Sequence, residues 1–81
     1  MTKKGDSMSM IAKSIQFWVE PNGVLQFAEL LEKSELANCM LGTDSGAVVV
    51  EVDYDPENAN DTEHVTSLHQ LDIVQHLEYV D

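Results

Sequence analysis

The 81-residue sequence predicts an α+β domain, one four-stranded antiparallel sheet with two helices on one face. Three observations carry that expectation. Ser14–Glu20 (SIQFWVE) and Ala47–Asp53 (AVVVEVD) alternate with the period of a strand and are rich in β-branched and aromatic residues. Between them, Val24, Phe27, Ala28 and Leu31 recur at i, i+3, i+4 and i+7, which is one face of a helix. A dense turn signal from Gly42 to Gly46 stands before the second strand and sets up a hairpin.

The elements follow in order. Residues 1–10 read as a flexible leader, with Met8 and Met10 as alternative starts, and residues 11–81 as a single domain. The first strand ends at Pro21-Asn22-Gly23, where proline stops the ladder and Asn22 is placed to cap the helix. Leu30 widens the buried stripe of that helix, while Glu29 and Lys33 stand at i, i+4 on its wet side. Leu36–Leu41 (LANCML) is a short apolar run leading into the hairpin. In the strand that follows, Val48, Val50, Val52 and Tyr54 share one face, and Val49, Glu51 and Asp53 the other. The polar loop Asp55–Asp61 offers Asn60 or Asp61 as cap of a second helix, with Glu63 three residues after Asn60 as in a capping box. That helix turns Val65, Leu68 and His69 inward and ends near Leu71. Ile73, Val74, Leu77 and Val80 do not continue its stripe, so residues 73–80 read as a fourth strand with Ile73, Leu77 and Tyr79 facing in.

The order β-α-β-β-α-β is the ferredoxin-like plan. In it the first strand is central, and the face away from the helices carries Trp18 beside Val49, Glu51 and Asp53 on one flank and Val74, His76, Glu78 and Val80 on the other. The expected result is an apolar strip of Trp18, Val49, Val74 and Val80 rimmed by carboxylates, the composition of an interface. A homodimer packed sheet on sheet is an alternative use of the same strip.

Charge narrows the kind of partner. The chain has 15 acids against 4 lysines and no arginine, a formal charge of −11. Residues 1–33 hold all the cations (Lys3, Lys4, Lys13, Lys33) and four acids, so the whole −11 lies after Lys33. Direct nucleic-acid binding is excluded as a function class, because phosphates are contacted mainly by lysine and arginine clusters. No run approaches the roughly 18 apolar residues of a membrane span. The acidity reads either as a solubility device or as a surface that attracts a basic partner. Cys39 is alone and allows no internal disulfide, and no signal-peptide core is present, so a reducing cytoplasm fits.

Two resemblances arise. Val19–Leu31 (VEPNGVLQFAELL) resembles the strand-to-helix turn of ACT regulatory domains, with Asn22 inserted between Pro21 and Gly23. That likeness implies a small ligand held by the turn backbone at Pro21, Asn22 and Gly23. Asp44–Val52 (DSGAVVVEV) with Leu68–Tyr79 (LHQLDIVQHLEY) looks like the second half of the small chaperone of periplasmic nitrate reductase assembly, which implies a ferredoxin-like fold and a cationic twin-arginine signal peptide as partner.

Catalytic and metal motifs are weak. Read as a calcium loop from Asp53, the acidic loop puts Asn58 where glycine is needed, His64 where the bidentate glutamate belongs, and Pro56 inside the loop. His64, His69 and His76 are spaced by five and seven, against the i, i+4 of a helical zinc pair. Cys39 has no basic neighbour in sequence to activate it and reads as a packed thiol. The expectation is a non-catalytic module without cofactor or metal that binds a basic protein or peptide through the open sheet face. The alternatives are an inhibitor whose carboxylates mimic nucleic-acid phosphates and an ACT-like ligand sensor.

Overall fold

Alternation along β1 (Lys13–Val19) buries Ile15, Phe17 and Val19 completely, and this strand takes the centre of the sheet. The computed structural model describes residues 12–80, so the expected leader lies outside the described residues. After β1 come a single 3-10 turn (Pro21–Gly23), α1 (Val24–Ser34), β2 (Asn38–Asp44), β3 (Ala47–Tyr54), α2 (Ala59–His69) and β4 (Val74–Val80). The strands pair antiparallel in the order β2-β3-β1-β4, the ferredoxin-like arrangement. Its core joins Ile15, Phe17, Val19, Val50 and Val52 of the sheet to Phe27 and Leu31 of α1 and Val65 and Leu68 of α2. Phe17 lies at the middle, its ring 5.3 Å from that of Phe27 and 5.8 Å from that of His69. His69 is half-buried, and its Nε2 is buried without a hydrogen-bond partner.

Local details differ from the sequence expectations for identifiable reasons. Asn22 does not cap α1; Pro21 opens the 3-10 turn and the chain runs through Gly23 into the helix. Gly23 is required by close approach, since a Cβ there would stand 2.5 Å from the Cβ of Ile73 and nearer still to its Cγ2. Ala28 is exposed, because β2 receives no helical cover on that side. β2 itself runs on through Gly42, Thr43 and Asp44, all assigned to the turn by sequence. A register shift between Met40 and Gly42, with Gly42 at φ 139°, absorbs one residue and leaves only Ser45 and Gly46 to make the turn. Both have positive φ (54° and 86°), the two-residue hairpin geometry that matches strand twist.

The second helix is capped earlier than expected. Asn58 Oδ1 accepts from the backbone N–H of Asn60 (2.9 Å) and of Asp61 (3.1 Å). The Asp61 carboxylate instead turns back to accept from Asp55 N–H. Asn58→Ala should therefore cost about 1 kcal/mol of stability, read as a shift in urea midpoint, while Asn60→Ala leaves the midpoint nearly unchanged.

Candidate functional site

The helix-free face of the sheet is a grid set by register. Glu51 of β3, Gln16 of β1 and Glu78 of β4 form one row; Asp53, Ser14 and Val80 a second; Val49, Trp18 and His76 a third. Each β1 side chain on this face, Ser14, Gln16 and Trp18, donates to a carboxylate. Ser14 Oγ reaches Asp53 Oδ1 at 2.6 Å, Gln16 Nε2 reaches Glu51 Oε1 at 3.1 Å, and Trp18 Nε1 reaches Asp44 Oδ2 at 2.9 Å. On β4, His76 Nε2 and Glu78 Oε2 are hydrogen-bonded at 3.0 Å.

The donors from β1 are neutral. They orient the carboxylates of Asp44, Glu51 and Asp53 without cancelling their formal charge, and each carboxylate keeps accepting capacity for further donors. Among the described residues no lysine stands on this face: Lys13 lies on the same side of β1 as the buried Ile15, Phe17 and Val19, and Lys33 lies on α1. Glu51 and Glu78, two strand spacings apart, bracket Gln16 at about 9.6 Å between backbones.

Trp18 sets the topography. Its indole must cross β3 to reach Asp44 on β2, and it passes over Val49 and Ala47, the residues paired with Trp18 and Asp44. Val49 is therefore only 7% exposed although it points away from the helices. On its other side the indole meets the His76 imidazole edge to face, centroids 4.9 Å apart.

The expected apolar strip is thus corrected in two places. Val74 does not join this face: a register shift between Trp18 and Val19 sets it opposite Val19, and it packs against the core. Such a one-residue slip sends a side chain to the other side of the sheet. Val49 is covered, leaving a carboxylate grid with the indole laid across one end. Trp18, Glu51, Asp53, His76, Glu78 and Val80 do share the face. Asp44 was missed because it lies in the turn signal; counting back from a two-residue Ser45-Gly46 turn would have returned it to β2.

Elsewhere, Tyr79 points to the helix side opposite Ile15 as expected, but at the uncovered sheet margin it is 62% exposed. Cys39, expected to be packed, is exposed on the edge strand. Ile73 fills the space over Gly23, and its carbonyl accepts from Glu20 N–H, so the residue just before β4 closes down on the Pro21–Gly23 turn. In the acidic loop, Asp55 accepts from Glu57 N–H, and the Asp55, Asn58 and Asp61 side chains serve the loop's own backbone. Among the described residues no group of three or more His, Cys, Asp or Glu is placed to hold a metal ion. No helix among them is long and apolar enough to cross a membrane. No family model, curated protein or solved structure matches the chain.

Proposed function

We propose that this protein is a non-catalytic binding module whose open sheet face takes up a basic protein surface or peptide. The observation that carries the reading is the array of Asp44, Glu51 and Asp53, each held by a neutral donor on β1, with no described cation among them. Charges fixed on a rigid sheet need little reorganisation when a cationic partner arrives, which favours binding. Trp18 supplies an aromatic surface at the end of the array, suited to the aliphatic stem or guanidinium plane of a basic side chain.

The test is capture of partners from a native lysate on the immobilised chain, eluted by rising salt. Retention should fall steeply as the screening length drops from about 8 Å toward 3 Å. Trp18→Ala and Glu51→Lys should each weaken retention of the same partner by about tenfold. A partner indifferent to both substitutions and to salt would defeat the reading. Displacement of that partner by DNA or heparin would instead favour the phosphate-mimicking alternative, and a doubled mass in its absence the homodimer. The closing of Ile73 over Gly23 speaks against a ligand cradle at Pro21–Gly23.

A further inference from the structure

β2 is an edge strand that nothing covers among the described residues. All seven of its residues are exposed, and its neighbour in the sheet is β3 alone. Ala37 accepts at its carbonyl from Asp53 N–H, so by antiparallel alternation Ala37 and Cys39 direct their peptide groups to β3, while Asn38 and Met40 direct theirs outward. Met40 is 61% exposed and Leu41 50%. Beside this edge, between β2 and α1, runs a groove of about 460 Å³ lined by Leu25, Ala28, Glu29, Glu32 and Asn38. Leu25 is 80% exposed there, an apolar side chain left open at a helix surface.

We infer that an extended, basic peptide segment adds as a fifth strand along β2, its main chain pairing with Asn38 and Met40 and one lysine or arginine entering the groove. Strand addition beside a helix supplies affinity through the main chain and specificity through alternate side chains. The groove suits a basic side chain because its apolar walls, Leu25 and Ala28, match the alkyl stem and its two glutamates match the charged head. Side chains on the opposite face of the added strand would project toward Asp44, the acidic end of β2. Lys33 does not compete, since it lines the separate cleft between α1 and α2 with His64 and Ser67. A second copy is the poorer occupant: its β2 brings no cation, only another Asp44. The proposal shares with the reading above the basic character of the partner and the single residue Asp44, and its main-chain pairing and groove lie on the sheet edge rather than on the open face.

The test is an amide-resolved NMR titration of the full chain with a capped heptapeptide alternating valine and lysine, and with its fully N-methylated analogue, which keeps the side chains but cannot pair. The expected result is shifts across Asn38–Asp44 and exchange of the Asn38 and Met40 amides slowed about tenfold or more by the paired peptide only. Glu29→Lys combined with Glu32→Lys should weaken binding by about tenfold. Met40→Pro, tolerated at an edge because the lost N–H points outward, should abolish the slowed exchange at Asn38. Shifts confined to Trp18, Glu51 and His76 would overturn the edge proposal while leaving the open-face reading intact. Equal binding of the N-methylated peptide, or none of either, would overturn it as well. So would a doubled mass with the same β2 shifts in the absence of peptide, which would make a second copy the occupant.

Discussion

Phe17→Ala is expected to remove about 3–5 kcal/mol of folding stability, the range for emptying a fully buried phenylalanine site. The residue is 0% exposed at the centre of the sheet, opposite Val50 and Leu77 and against Phe27 and His69. Two of its neighbours are rings on different elements, so truncation opens space that no single side chain can fill. A chain of this length has roughly 4–12 kcal/mol in all, and the variant should be largely unfolded in mild urea. Urea denaturation followed by circular dichroism measures the loss. A cost below about 1.5 kcal/mol, the scale of a volume-conserving swap, would mean the ring is not packed as described.

Gly23→Ala is expected to cost about 3 kcal/mol, the upper end of ordinary overpacking, although it adds a single methyl group. Gly23 has φ −102°, which any residue adopts, so the penalty is purely steric and comes from Ile73. The Ile73 Cβ itself stands 2.5 Å from the new methyl group, which gives the prediction a sharp second half. Ile73→Ala in the Gly23→Ala background should fail to restore stability, because the offending Cβ remains. Ile73→Gly should relieve the clash, at the expense of the contact Ile73 makes with the core. Thermal melts of the double variants against each single one separate the two effects. Rescue by alanine would show that only the outer methyl groups collide and that the turn can yield.

Most of the architecture was legible because β1 and β3 carry uninterrupted alternation and α1 carries a helical stripe. The same alternation placed Trp18, Glu51, Asp53, His76 and Glu78 on one face, since side-chain direction in a strand follows from counting by two. What stayed hidden depends on pairing. Gly42, Thr43 and Asp44 have turn propensity, yet they pair with Val49, Val48 and Ala47 on β3, and partnership outweighs local preference in strands. Val74 was misplaced because the register shift beside Val19 leaves no mark in composition. The Trp18–Asp44 hydrogen bond joins residues 26 apart in sequence across an intervening strand, a contact that no local pattern encodes.

The bareness of β2 also gives the −11 charge a protective task. Natural sheets guard their edges with lysines, proline or a bulge, and among these β2 has only the register shift at Met40–Gly42. With Met40 and Leu41 exposed along a backbone edge that is unpaired among the described residues, mutual repulsion between acidic copies is expected to oppose edge-to-edge stacking. Such a barrier is electrostatic and hence removable: near 1 M ionic strength the screening length is about 3 Å, and the expected consequence is that high salt turns this edge into a template for aggregation.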